Sequence, residues 1–373
     1  MSDVAEPRAW RGAHEQHAQE EQRAVRQPAQ ATKSKAGGGT AGLLWLTWRQ
    51  HRWMIVTGIV ITGSLIGWML MTYGQINSLV RHCGNTVCAD GSLQAQKLTG
   101  PHGLVSTANY QMSVLIFLPL IFGLFWGVPL LAREHEQRTL SLAWSQDVSP
   151  SRWLFGKLAI LGVLVAALTA AACAVCNRLA GVIHVGTGAS LFDGTLFQAA
   201  GWLPLALAVA WFTFGVAAGA LTRRTTTALA ITLAAFIGRG LLMAQLRPHF
   251  MTPLTALRPI DKAGPGPAAL LNDSNALHVG SEGLRDYVDA AGQHYSADTV
   301  LGSWCPPPLG RNVDVDSWFT CLQSHHLVGS VITYQPGSRL GTFHLIEAGI
   351  YLGLAIVCVA ITWVCVRAAK VTT

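Results

Sequence analysis

Charged residues are scarce in this chain: Asp, Glu, Lys and Arg make up 12% of its 373 residues. A soluble globular protein carries about 25% charged residues, so this proportion leaves too little polar surface for a protein surrounded by water. Hydrophobic residues account for 51% of the chain, and the mean hydropathy is +0.36. Several windows exceed the roughly 18 apolar residues that mark a transmembrane helix. The composition therefore predicts an integral membrane protein.

The chain also lacks the short motifs of nucleotide-binding and hydrolytic enzymes. It has no G-x-x-x-x-G-K-[ST] loop to hold phosphates, no G-x-S-x-G turn and no H-E-x-x-H zinc motif. Cys173 and Cys176 form a C-x-x-C motif, but they lie in an apolar run, where small packing residues are expected. We therefore expect no catalytic residue, metal ion or cofactor in this chain.

A nucleic-acid partner is not expected either. The net charge is +7, but the cations concentrate at the ends of the apolar runs and do not form a basic stripe with interleaved aromatic residues. Basic residues at such ends instead indicate orientation, because cytoplasmic connections carry an excess of Lys and Arg.

Six apolar runs predict an all-α membrane protein built as a six-helix transmembrane bundle. The predicted spans are 53–73, 112–132, 153–175, 199–221, 228–246 and 342–366. Residues 41–52 (AGLLWLTWRQHR) place Trp and Leu at helical spacing beside basic residues. This pattern predicts an N-terminal interfacial helix, with an extension of the first span as the alternative.

The chain accordingly divides into four parts. Residues 1–40 are polar and are predicted to form a disordered tail. The interfacial helix and the first five spans occupy 41–246, a large segment follows at 247–341, and the sixth span with a short tail occupies 342–373. The densest cationic ends are the stretch before the first span, the connections 133–152 and 222–227, and the tail after residue 366. Placing these ends in the cytoplasm puts both termini on the cytoplasmic side of the cell membrane and the 247–341 segment on the outer side.

The predicted outer connections hold four of the eight cysteines, Cys83, Cys88, Cys305 and Cys321. None of the other four lies in a cytoplasmic connection, a distribution that fits disulfides in an oxidising compartment. Of the three possible pairings, the local one (Cys83–Cys88 with Cys305–Cys321) requires the least loop-closure entropy. The alternative is a zinc site, although the paired C-x-x-C spacing is missing.

Two sequence features predict contacts between the helices of the bundle: the spacing of glycines and two charges within the spans. Glycines with G-x-x-x-G spacing predict close helix packing; the pairs are Gly63/Gly67, Gly123/Gly127, Gly215/Gly219 and Gly349/Gly353. Arg239 in the fifth span and Glu347 in the sixth lie at similar predicted depths, so they are expected to pair as an outer gate. The alternatives are that Arg339 pairs with Glu347, or that Arg239 extends to the headgroups.

The connection after the second span is long and carries both charges and an apolar face. Leu140, Ala143 and Trp144 are spaced as on one side of a helix. Ser149 and Pro150 then form an N-cap and first-turn pair that starts the third span. A simple turn between helices needs about two to eight residues, so this helix either contacts a partner or rests on the headgroups.

Three stretches, in this order, resemble the ABC-2-type permeases of high-GC Gram-positive bacteria: LTWRQHR (46–52), FWGVPLLAREHEQRTLSLAWSQDVSPSRW (125–153) and YQPGSRLGTFHLIEAGIYL (334–352). The resemblance implies the membrane-spanning subunit of an ABC exporter, which works as a homodimer and moves an amphipathic small molecule outward. Two copies of a separate ATPase subunit would bind ATP and Mg.

In such permeases a coupling helix after the second span docks on the ATPase. The resemblance assigns that role here to Glu134, Glu136, Thr139, Leu140, Ala143 and Trp144. Two positions depart from the family pattern, because Arg138 replaces a usual Gly and His344 stands where Gln is commoner. A different class of protein is the alternative: a membrane-anchored sensor or binding protein that uses the 247–341 segment.

Overall fold

The computed structural model describes residues 40–89, 91–137, 150–259, 277–278, 286–306 and 315–371. The predicted tail before Thr40 lies outside the described residues, as does the predicted coupling helix with Thr139, Leu140, Ala143 and Trp144. Contacts divide the chain into two units, Met1–Arg49 and Gln50–Thr373, and the second unit contains the spans.

Within the described part of the chain, six helical segments are long and apolar enough to cross a membrane, which confirms the predicted number of spans. Called spans 1 to 6 below, they are His51–His82, Leu93–Glu136, Leu154–Thr187, Leu203–Thr222, Thr225–His249 and Gly337–Ala368. Five of them are longer than the run predicted, because their helices continue through polar residues beyond the apolar part. Span 4, with 20 residues, is shorter than its predicted run and begins at Leu203 instead of residue 199.

The helices, in chain order, are α1 (Thr40–His82), α2 (Leu93–Thr99), α3 (Leu104–Phe122), α4 (Val128–Glu136), α5 (Pro150–Thr187), α6 (Gly194–Ala199), α7 (Leu203–Thr222), α8 (Thr225–Leu246), α9 (Ala297–Thr299), α10 (Val315–Ser324) and α11 (Leu340–Val371). A π-helical turn, Gly123–Gly127, joins α3 to α4 inside span 2. Residues 41–52 form the first turns of α1 without a break. The alternative of a helix extension therefore describes the local structure, and a membrane-surface location for this stretch stays a prediction.

Span 4 is the central helix of the bundle. In its most apolar 18-residue window 72% of residues are buried, compared with 22% in span 5 and 28% in spans 1 and 6. Leu, Ala, Val and Phe occur on every side of α7, as expected for a helix surrounded by protein. The apolar outer faces of spans 1, 5 and 6 are left for lipid or for another chain.

Two of the predicted glycine pairs meet each other. A Cβ added at Gly215 would overlap the carbonyl oxygen of Gly123, and a Cβ at Gly127 would lie against the carbonyl oxygen of Phe212. Spans 2 and 4 therefore touch backbone to backbone beside the π-helical turn, as the glycine spacing predicted. The other two pairs differ: a Cβ at Gly63, Gly67, Gly349 or Gly353 would meet no described atom within 4 Å. Those glycines do not pack helices together in the described part of this chain.

The segment between spans 5 and 6 adds a small antiparallel sheet to the helical bundle. Its strands are β1 (Leu254–Pro259), β2 (Leu277–His278), β3 (Asp286–Asp289), β4 (His294–Tyr295) and β5 (Leu327–Gln335). The order is β1-β5-β3-β4, and β2 also pairs with β5. Tyr287, Val300, Phe319, Leu322 and Leu327 are buried in a separate hydrophobic core. This part of the chain thus has its own packing.

Both local disulfides are formed, Cys83–Cys88 and Cys305–Cys321, which confirms the predicted pairing. The sulfurs of Cys305 and Cys321 and a ring nitrogen of His325 lie within 4.8 Å of one another, the spacing of a metal site. Because the two sulfurs are bonded to each other, they offer no thiolate to an ion. The zinc alternative is therefore wrong for this structure.

Candidate functional site

The end of the bundle that contains Arg133, Arg223 and Arg224, here called the basic end, is tied together by two glutamates of α4. The first is Glu134, whose Oε1 accepts a hydrogen bond from Lys157 Nζ of α5 at 2.7 Å. The Lys157 side chain is 2% exposed and that of Glu134 18%. A buried ammonium needs a charged acceptor, so the pair fixes the end of span 2 against the start of span 3.

The second glutamate binds the first turn of span 5. Glu136 Oε1 accepts from the backbone N–H of Thr225 at 2.7 Å, and Oε2 accepts from Thr225 Oγ1 at 3.0 Å. Thr225 is the first residue of α8, and the N-cap residue Arg224 makes no side-chain cap. The first N–H groups of a helix lack internal acceptors and lie at the positive end of its dipole. Glu136 therefore acts as a cap supplied by a different helix.

The tight turn between spans 4 and 5 places Thr225 within reach of Glu136. Arg223 adopts a left-handed conformation (φ 54°), and its N–H donates to the carbonyl of Gly219 at 3.0 Å. This ends α7 as a C-terminal glycine usually would. Only Arg223 and Arg224 separate α7 from α8, and α7 packs on α4 at Gly219, where an added Cβ would lie 2.7 Å from the Val128 carbonyl oxygen. The first turn of span 5 therefore lies beside the end of span 2.

A polar cluster lies at the opposite end of the bundle, and its centre is Glu347, which is fully buried. Arg247 donates to it twice, from Nε to Oε2 at 3.1 Å and from a terminal nitrogen to Oε1 at 3.2 Å. Tyr351, one helical turn further along α11, donates its hydroxyl proton to Glu347 Oε1 at 2.7 Å. Arg239 in turn donates to the Tyr351 hydroxyl at 3.0 Å. We call these four residues the Glu347 cluster.

The predicted direct pair between Arg239 and Glu347 is therefore wrong. Arg247, directly after the end of α8, lies closer to the carboxylate and binds both its oxygens, and Arg239 reaches it only through Tyr351. The alternative partner, Arg339, is also wrong, because its guanidinium donates to the Thr252 carbonyl at 2.7 Å and to Gln335 Oε1 at 2.6 Å. Gln335 in turn donates to the Met251 carbonyl. Gln335 and Arg339 thus fix the chain that leaves span 5.

His344, which departs from the family pattern, packs within the chain. One ring nitrogen lies 3.0 Å from the Phe197 carbonyl oxygen, and its ring centroid lies 4.4 Å from that of Phe197. Its other side faces Gly201, where φ is +66° and an added Cβ would lie 2.8 Å from the imidazole. The Arg247 guanidinium also lies over Phe197, 4.2 Å from the ring centroid. His344 therefore forms part of the packing beside the Glu347 cluster.

Four partners in these clusters were not among the predicted site residues: Lys157, Thr225, Arg247 and Tyr351. Sequence signals existed for two of them. Lys157 is a lone cation inside a predicted span, which marks a paired or functional residue. Tyr351 follows Glu347 by four residues, which places both on one face of α11. The capping role of Thr225 and the choice of Arg247 over Arg239 depend on how the helices pack.

Six helices in the described part of the chain are long and apolar enough to cross a membrane, which defines a multi-pass membrane protein. A family model, that of the ABC-2 membrane transporter related family, matches residues 59–247, just over half of the chain. The chain belongs to this family, whose members are membrane transport subunits that generally work with an ATPase partner. Searches of curated proteins and of solved structures each found no significant match.

Proposed function

We propose that the chain is the permease subunit of an ABC exporter, with the basic end in the cytoplasm and both termini on that side of the cell membrane. Two copies form the membrane-spanning dimer, and two copies of a separate ATPase subunit supply the energy. The ATPase docks on the predicted coupling helix at 139–148. The cargo is an amphipathic small molecule that moves outward.

The observation that carries this proposal is the construction of the basic end. The predicted coupling helix begins directly after α4, and α4 is held to span 3 by Glu134 and to span 5 by Glu136. A force applied to a helix leaving this point acts on three spans at once. A segment that only rested on headgroups would not require two such contacts at its base.

The Glu347 cluster is the proposed outer gate. It joins the far ends of spans 5 and 6 through a bidentate arginine–carboxylate contact in which the carboxylate is fully buried. Separating these spans breaks the contact, and water entering the opening would solvate both charges. The pair therefore favours a closed outer end until the transport cycle forces the helices apart.

A second function has one observation in its favour. The segment between spans 5 and 6 has its own core, sheet and disulfide, as a membrane-anchored sensor or binding protein would require. Family membership favours the permease, whose outer segment is then an accessory to transport.

Co-purification with the ATPase is the decisive experiment, followed by ATP hydrolysis in reconstituted membranes with candidate cargoes. If Leu140 and Trp144 dock on the ATPase, Trp144→Ala removes a buried aromatic anchor, a loss of about 2 kcal/mol or more in binding. Hydrolysis stimulated by cargo should fall while the chain still inserts. Unchanged stimulation in an intact complex would contradict docking through this helix.

Orientation is tested separately by cysteine labelling in intact cells with a membrane-impermeant reagent. Arg224→Cys at the basic end should stay unlabelled, and Asp298→Cys in the segment between spans 5 and 6 should be labelled. Both native residues are exposed, so accessibility within the fold is matched. The reverse labelling pattern would invert the proposed topology.

A further inference from the structure

A cavity of about 940 Å³ lies between spans 1 and 2 at the basic end. Its floor is formed by Phe122 and Trp126, which are 1% and 3% exposed. Its rim includes Trp53 and Phe125, which are 74% and 60% exposed. The cavity is therefore a groove that is open along the outer face of the bundle, where the surrounding medium is the membrane.

The groove has an apolar length and a polar end. The apolar lining of span 2 runs from Leu118 to Leu130, a distance of about 18 Å at 1.5 Å per residue. One leaflet of a bilayer has a hydrocarbon depth of about 15 Å, half of the full core. Beyond Leu130 the lining becomes polar, with Arg133 and Glu134 from span 2, Gln137 directly after it and His51 from span 1. The apolar lining is long enough for one acyl chain, and the polar end lies where the headgroup of that lipid would be.

The charges at the polar end favour an anionic headgroup. The carboxylate among the described lining residues, Glu134, is paired with Lys157 at 2.7 Å, which offsets its repulsion of an anionic headgroup. Arg133 is exposed, and its guanidinium offers several N–H donors to a phosphate. His51 Nε2 is buried without a hydrogen-bond partner in the described part of the chain. It can donate to the same phosphate when that nitrogen carries the proton.

We propose that this groove binds one anionic phospholipid from the leaflet at the basic end, with an acyl chain along Leu118–Leu130 and the phosphate at Arg133 and His51. The inference requires only that the chain is embedded in a membrane, so it does not depend on the direction of transport, on the ATPase or on the cargo.

Native mass spectrometry of the purified full chain tests the proposal without ATPase or cargo. The probes are phosphatidylglycerol and phosphatidylcholine with identical acyl chains. The wild type should retain one phosphatidylglycerol per chain under conditions that remove phosphatidylcholine. Arg133→Gln should reduce the affinity for phosphatidylglycerol by about five- to tenfold, as expected for the loss of one cation near a headgroup.

Arg52→Gln is the matched control, because Arg52 is exposed at the same end of span 1 but does not line the groove. It should leave the bound lipid unchanged. Ile61→Trp fills the apolar part of the groove and should reduce binding of both lipids, which gives a second test if Arg133→Gln does not fold. Arg133→Lys should retain most of the preference, because the charge is kept.

Three results would overturn the proposal. The first is equal retention of the two lipids by the wild type, and the second is an equal affinity for phosphatidylglycerol in Arg133→Gln and Arg52→Gln. The third is a retained molecule whose mass does not correspond to a phospholipid. Rapid disulfide formation between copies of a Thr57→Cys variant, with no lipid retained, would also overturn it by placing a second copy over the groove.

Discussion

Breaking the contact between Arg247 and Glu347 should destabilise the end of the bundle opposite the basic end. The Glu347 side chain is 0% exposed and that of Arg247 is 11% exposed, so solvent does not reach the carboxylate and reaches little of the guanidinium while the helices stay in place. Glu347→Gln leaves Arg247 with a neutral acceptor, and Arg247→Gln leaves the carboxylate with Tyr351 as its remaining hydrogen-bond donor among the described residues. Removing one partner of a buried pair costs about 3–5 kcal/mol, because the other charge stays buried without compensation.

The two single variants and the double variant form a thermodynamic cycle. The free energy of unfolding is measured in mixed micelles by denaturant titration. Because each single change harms the same contact, the double variant should lose about 1–3 kcal/mol less than the sum of the two singles. Strict additivity would refute the argument, since it would mean that the two side chains do not stabilise each other in the membrane.

Arg239 supplies the matched control for this cycle. It is also a cation of span 5, but its hydrogen bond goes to the Tyr351 hydroxyl and not to the carboxylate. Arg239→Gln should therefore show weaker coupling to Glu347→Gln, and Tyr351→Phe should abolish that coupling. Equal coupling for Arg239 and Arg247 would contradict the arrangement of the Glu347 cluster.

Three further predictions follow from the other contacts. Gly215→Leu should destabilise the bundle by about 1–3 kcal/mol or more through overpacking, whereas Gly63→Leu, which meets open space, should change thermal stability little; equal losses would contradict the packing of spans 2 and 4. Glu136→Gln should lower cargo-stimulated ATP hydrolysis without loss of membrane insertion. Unchanged hydrolysis would show that the cap of Glu136 on span 5 plays no part in transport. Hydrogen bonds, chiefly from the Gln293 N–H, hold the pKa of Asp289 below its ordinary 3.8. Its ionised form therefore stabilises the β3–β4 hairpin above that pH, and this contribution is lost as the pH falls through the lowered pKa. Hydrogen exchange at the Gln293 amide should show the loss on acidification, and Asp289→Asn should remove the pH dependence.

The span pattern was predictable because membrane insertion imposes a simple requirement on sequence. Each span needs about 20 apolar residues whatever its neighbours are, so composition alone locates it. The local disulfides were predictable for a related reason, since Cys83 and Cys88 are close in the chain before any folding occurs. Helix ends were less predictable, because polar residues such as those before His82 continue a helix beyond the apolar run.

Partners between helices could not be read from depth alone. Arg239 and Glu347 lie at similar predicted depths, but depth does not specify the rotation of a helix about its axis. Packing turns α8 so that Arg247 meets the carboxylate and Arg239 meets Tyr351. The same limit applies to the glycine pairs, because spacing identifies a face on which helices can approach. It does not identify whether that face meets another helix of the same chain, as at Gly215, or open space, as at Gly63.

Span 5 connects the two clusters, and this connection has a mechanical consequence. Its helix begins at Thr225, which Glu136 holds, and Arg247 follows directly after its last residue. The 22 residues of α8 extend about 33 Å as a helix, with hydrogen bonds along the whole length. The helix is mostly unburied within the chain, so few contacts along its sides oppose a tilt. A displacement applied to Glu136 at the basic end is therefore expected to move Arg247 relative to Glu347 at the other end, with α8 as a rigid lever. Spans 2 and 4 are held together by backbone contacts at Gly123 and Gly215, so span 4 is expected to move with span 2, which carries Glu136.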